Sequence, residues 1–159
     1  MNLVRLIGCI LLCESAGIIG ALFTARSVKT WYLTLVKPEF NPPSWVFGPA
    51  WTLLYLLMGI SLYLAWETTG QREARQSAMV LFFLQLLFNA AWSIIFFGMR
   101  QVFFAFVEIS LLWVLIAVTI YLFWRISPPA AYLLVPYLLW VTFAAVLNYS
   151  IWKLNSGPV

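Results

Sequence analysis

VFFAFVEISLLWVLIAVTIYLFW, from Val102 to Trp124, carries a single charge along its whole length, at Glu108. A helix needs about 20 apolar residues to cross the hydrocarbon layer of a membrane. This run is apolar on every side rather than in alternation, so it reads as a spanning helix and not as a barrel strand. Lipid satisfies no backbone hydrogen bonds, which leaves the helix as the only way across for such a segment. Four more runs of the same character flank it, at about Leu6 to Ala25, Trp45 to Trp66, Ser77 to Phe97 and Tyr132 to Trp152. Apolar residues make up 64% of the 159-residue chain and charged ones only 9%, against about 25% charged in a soluble domain. The expected fold is all-α: one integral membrane domain over residues 1–159, a bundle of five transmembrane helices. Three of the connections are short, so their flanking helices are expected to be antiparallel neighbours.

Charges collect between the spans. Arg5, Arg72, Arg75 and Arg125 fall on one side of the membrane, and Arg26, Lys29, Lys37, Arg100 and Lys153 on the other. Positive residues favour the cytoplasm, but four against five leaves the orientation open. The stretch Met1 to Cys13 has the basic-then-apolar order of a signal peptide, yet Glu14 interrupts it and no small-residue cleavage site closes it. Histidine is absent altogether, which excludes Ser-His-Asp and Cys-His chemistry and the commonest metal ligand. Cys9 and Cys13, the only cysteines, cannot complete a zinc site by themselves. The net charge of +4 is scattered, and nothing points to nucleic acid.

The dense chemistry begins between the first two spans, in Thr30-Trp31-Tyr32-Leu33-Thr34-Leu35-Val36-Lys37-Pro38-Glu39-Phe40-Asn41-Pro42-Pro43-Ser44-Trp45. Connections this long are functional or disordered, and this one is too aromatic and too rich in proline for disorder. Two readings fit it. It is a stiff flap over a pocket between the helices, or an aromatic belt anchoring the bundle at the interface. Within the spans, Trp51 and Tyr55 share a helix face, as do Gln85, Asn89, Trp92, Ser93 and Phe96, and then Trp140, Phe143, Ala144, Leu147 and Asn148. Polar amides at membrane depth should face inward. They serve either as interhelical glue or, among tryptophans, as the few polar groups of a site for a flat, largely apolar ligand. Glu14 and Glu108 are intramembrane carboxylates, hence candidates for proton carriage, but each lies near enough to a span end to snorkel. Ala16, Gly17, Gly20 and Ala21 allow close helix contact, within the bundle or between protomers.

Taken together, Trp31-Tyr32, Lys37-Pro38, Pro42-Pro43, Trp45, Trp51, Leu54-Tyr55 and Met58-Gly59 resemble the signature of the tryptophan-rich sensory protein and translocator protein family (TspO/MBR). So do Gln85, Asn89, Trp92 and Phe96-Phe97-Gly98, and, in the fifth span, Pro136-Tyr137-Leu138, Trp140, Phe143-Ala144 and Leu147-Asn148-Tyr149. The likeness runs in order from about Gly17 to Asn155. It implies a five-helix bundle, commonly a homodimer, that binds porphyrins and cholesterol-like or synthetic aromatic ligands. Position by position, it makes Trp31 and Tyr32 lid aromatics, Trp51 and Tyr55 the second-helix wall, Asn89 with Trp92 the third-helix contribution, and Trp140, Phe143 and Ala144 the fifth-helix wall. It also makes Leu147, Tyr149 and Lys153 a sterol motif, although that pattern is weak when taken alone. Phe104 departs from the tryptophan that animal members carry there.

Three functions follow as expectations: a receptor or sensor for a porphyrin, a transporter of porphyrin or sterol, and a light- or oxygen-dependent porphyrin-degrading enzyme. No conventional acid, base or nucleophile set is visible, and a haem iron would need an unusual axial ligand without histidine. Free porphyrin, as ligand rather than cofactor, is the better fit. The tail from Asn155 to Val159 lacks the basic extension of animal members, which favours a bacterial membrane over the mitochondrial outer membrane.

Overall fold

The computed structural model describes residues 2–70 and 72–156. The last three positions of the tail, 157–159, lie outside the described residues, as does Met1 at the head of the signal-like stretch. The described chain is helical, without strands. Helix α1 covers Leu3–Val28, α2 is a single turn at Trp31–Thr34, and α3 covers Phe47–Glu67 after a 3-10 turn at Ser44–Val46. Helix α4 covers Arg72–Ser93 and passes into a π-helical turn at Ile94–Gly98; α5 covers Val102–Ile126 and α6 Pro128–Asn155. Five of these units are long and apolar enough to cross a membrane.

Every spanning unit, counting the 3-10 turn at Ser44–Val46 with α3 and the π-helical turn with α4, outruns the apolar stretch that marks it in the sequence. The reading at 77–97 stops where charge begins, whereas α4 starts at Arg72. Helical hydrogen bonding does not stop at the hydrocarbon edge, and charged first turns sit in the headgroup layer. At α6 the start is fixed by Pro128 and Pro129 in the first turn, where the missing N–H has no helical partner to lose. Pro136 falls inside α6, and the helix continues through it.

Around the bundle the order is α1, α3, α6, α5, α4 and back to α1. Two of the three short connections therefore join close neighbours, α4 to α5 and α5 to α6, but α3 and α4 touch only slightly. Helix α1 packs on both and separates them. Small residues make this possible. A Cβ on Gly59 would stand 2.5 Å from the Ile10 Cα, and one on Gly17 would meet the Tyr55 ring at 2.3 Å. A Cβ on Gly20 would come within 2.9 Å of the Ser93 hydroxyl. These glycines of α1 thus serve contacts within the chain. At the far end of the α1–α3 pair, Arg5 Nη1 donates to Glu67 Oε1 at 2.9 Å and the Asn2 N–H donates to the Tyr63 hydroxyl at 2.9 Å.

Glu108 does not snorkel. It is 8% exposed, and neither carboxyl oxygen has a hydrogen-bond partner among the described residues. Gln85 is still more enclosed and likewise has no hydrogen-bond partner among the described residues, so it is not interhelical glue. Asn148 is. It accepts from Trp92 Nε1 at 3.1 Å and donates to the Val102 carbonyl at 2.9 Å, tying α4, α5 and α6 together.

Candidate functional site

A cavity of about 380 Å³ lies inside the bundle, at the end where α1 finishes and α3 begins. All five spanning helices and the first connection contribute to its lining. From α3 come Phe47, Trp51 and Tyr55, spaced four apart and so stacked on one face. Trp51 lies over Tyr55 at 5.5 Å and meets Trp140 of α6 nearly at a right angle, 6.5 Å between centroids. Opposite them, Trp92 stacks on Phe96 at 5.0 Å. The π-helical turn carries Phe96 and Phe97 into this wall. Such turns leave backbone groups out of step, and the loose Phe97 carbonyl accepts from the Ser27 hydroxyl at 2.6 Å.

A buried chain of hydrogen bonds closes the deep end. The Tyr55 hydroxyl donates to Asn89 Oδ1, and Asn89 Nδ2 donates to the Tyr137 hydroxyl at 2.9 Å. Beyond it the core is solid, with Met58, Leu62, Phe82 and Phe123 fully buried. The cavity therefore ends at this floor. Its mouth lies under the first connection, where Lys29 is, among the described residues, the only charged side chain on the lining.

The connection is folded, not loose. The Tyr32 ring is buried and lines the cavity. Its hydroxyl donates to Asn41 Oδ1 at 2.8 Å, and Lys37 Nζ sits 4.7 Å above the ring. The Asn41 N–H closes a turn on the Pro38 carbonyl at 3.0 Å, and Phe40 meets Phe143 edge-on at 6.4 Å. Burial pushes the Tyr32 hydroxyl above the ordinary tyrosine range, offset in part by its bond to Asn41. An unfolded tyrosine gives up its proton first, near pH 10. The stability gained by keeping this hydroxyl neutral is thus complete below that pH and lost as pH climbs toward the raised folded value. In thermal melts between about pH 9 and 11, the wild type is expected to lose more stability than Tyr32→Phe, whose curve should be flatter.

The structure brings Tyr32, Trp51, Tyr55, Asn89, Trp92, Trp140, Ala144 and Leu147 to one cavity. It does not bring Trp31 or Phe143 to that lining. Trp31 packs edge-on against Phe96 at 5.7 Å from outside. Phe143 lines a shallow apolar hollow between α3 and α6, from which Trp140 separates the interior. Tyr149 and Lys153 lie on the outer face of α6 beside Trp152, with Lys153 Nζ 5.2 Å over its ring. They do not meet Leu147 at the cavity, because Leu147 points inward. Sequence reasoning missed Phe47, Lys29 and the α1 face at Gly17, Gly20, Thr24 and Val28. The three- and four-residue spacing of that face, and the step from Trp51 back to Phe47, were the available signals.

Five membrane-length helices around an aromatic cavity, floored by a buried hydrogen-bond chain and bordered at its other end by the first connection, define an all-helical integral membrane protein with an interior chamber. Residues 9–153 match the model of the TspO/MBR family. A tryptophan-rich protein TspO from Archaeoglobus fulgidus is 46% identical over 156 residues, 98% of this chain and 100% of that protein. Its counterpart from Chlorobaculum tepidum is 45% identical over 147 residues, 92% and 93% of the two chains. The human translocator protein is 41% identical over 140 residues, 87% and 83%. The chain belongs to the TspO/MBR family.

Proposed function

We propose that this protein is a membrane receptor or sensor that takes a porphyrin into the cavity beneath the first connection. The observation that carries the reading is the wall itself: Trp51, Tyr55, Trp92, Phe96 and Trp140 present flat faces around a space of about 380 Å³, within the range of small-molecule sites. Asn89, Ser93 and Tyr32 supply a few polar atoms, and Lys29 stands at the mouth, suited to the carboxylates that a free porphyrin carries at its rim. Cholesterol-like or synthetic aromatic molecules fit the same apolar character without using Lys29. Names of relatives, translocator protein and tryptophan-rich sensory protein, agree with a ligand-handling role in the membrane. The solid core beyond Asn89 favours holding a ligand over passing it through. A bacterial membrane, with lipid and a second copy of the chain as partners, completes the proposal.

The test is quenching of tryptophan fluorescence by protoporphyrin in detergent-solubilised protein. Saturable quenching is expected, with affinity weakened about 3- to 10-fold by Trp51→Phe or Trp140→Phe, as loss of one stacking face implies. Quenching that ignores both substitutions would sink the porphyrin reading. Disappearance of porphyrin absorbance under light, tracking those tryptophans, would favour degradation instead.

A further inference from the structure

We propose that Asn155, at the last turn of α6, is the latch that holds the first connection shut over the cavity and sets the rate of access to it. The Asn155 amide grips both backbone polar groups of one residue of the connection, Val36. Its Oδ1 accepts from the Val36 N–H at 3.0 Å, and its Nδ2 donates to the Val36 carbonyl at 2.9 Å. Nδ2 also donates to the Ile151 carbonyl one turn back at 2.7 Å, which fixes the amide in the gripping orientation before Val36 arrives. An amide side chain pairs with a peptide as one strand pairs with another.

Two facts make this pair a latch rather than one tie among many. Among the described residues, every other hydrogen bond of segment 29–43 stays inside the segment or joins it to the chain on either side, to α1 or, from the Val46 N–H to the Pro43 carbonyl, to the 3-10 turn that follows. Among the described residues, Asn155 thus provides the only hydrogen-bonded link from the connection to α6. Both partners are also exposed, Val36 at 56%, and exposed neutral hydrogen bonds have small net strength. Such a pair opens on its own without disturbing the bundle, whereas the aromatic contacts of Trp31 and Tyr32 with Phe96 and Phe97 guide the segment back. As a control on ligand exchange, the latch rests on the porphyrin reading above; as a control on access, it does not.

The test therefore measures access without ligand. Ala144 lines the cavity, so Ala144→Cys places a reporter thiol inside, and a charged methanethiosulfonate reagent that cannot cross lipid reads how often the mouth opens. The natural Cys13, fully buried in α1, reports loosening of the whole bundle in the same sample by peptide mass spectrometry. Asn155→Ala is expected to speed modification of the reporter about 10-fold or more, the effect of losing two exposed hydrogen bonds, with Cys13 still protected. Asn155→Asp keeps the bond from the Val36 N–H and loses the bond to its carbonyl, so its rate should fall between the two. An unchanged reporter rate in Asn155→Ala would overturn the proposal. So would equal acceleration at Cys13, which would make Asn155 a general stabiliser. If porphyrin quenching fails while the reporter still responds, the ligand reading falls and the latch stands.

Discussion

An Asn89→Leu variant is expected to lose about 2–4 kcal/mol of stability in detergent, because it strands two buried hydroxyls at once. Leucine matches the asparagine in bulk, so packing is nearly conserved and the loss is polar in origin. The Tyr55 hydroxyl loses its acceptor and the Tyr137 hydroxyl loses its donor, both on buried side chains, where an unpaired polar group is costly. Each stranded group costs about 1–3 kcal/mol, moderated because chains unfolded in detergent or lipid also find partners. The companion variant is decisive. Tyr55→Phe, Asn89→Leu and Tyr137→Phe combined removes every member of the chain and should recover at least half of the loss. If the triple variant is no more stable than the single one, the hydrogen bonds are not what holds the cavity floor.

Gly59→Ala should lower stability by about 2–3 kcal/mol, as overpacking at a site that cannot relax does. The new Cβ would meet the Ile10 backbone, 2.5 Å from Cα and 2.9 Å from N. A side chain can turn aside, but here α1 and α3 themselves must part. Because α1 also lines the cavity through Gly17 and Gly20, the shift should weaken ligand quenching along with stability. Gly8→Ala is the matched control. Nothing lies within 4 Å of a Cβ there, so the helix-propensity gain of roughly 0.5–1 kcal/mol should appear undiluted. Differential scanning fluorimetry of the pair reads both signs. Equal melting points would mean that the α1–α3 crossing is more pliable than its geometry implies.

The five spans were legible because hydrophobicity along the chain is a local property, and 16 uncharged residues from Ile109 to Trp124 admit one interpretation. Inward faces were legible for a similar reason. Trp51 and Tyr55, or Trp140 and Ala144, share a face by helical spacing alone, and the polar Asn89 could not face lipid. Which helices become neighbours is not a local property. The short link between the spans ending at Trp66 and beginning at Ser77 argued for α3 beside α4, and only the close contacts of Gly17 and Gly20 of α1 with Tyr55 and Ser93, and of Gly59 of α3 with Ile10 of α1, explain why α1 comes between them. Position along a span also misled for Glu108. Nearness to a helix end does not say whether the side chain points to headgroups or into the core, and its face of α5, shared with Ala105 and Leu112, points inward. Trp31 and Phe143 sit one step aside from the cavity for a related reason: spacing predicts a face, not how far around that face the lining extends.

The grip of Asn155 on Val36 joins positions 119 residues apart. During synthesis, α1 and the first connection emerge and take their places long before the last helix exists. The chamber wall and its fastening consequently arrive on one helix, since α6 brings Trp140 and Ala144 to the lining and Asn155 to the connection, and until it is made there is nothing to close.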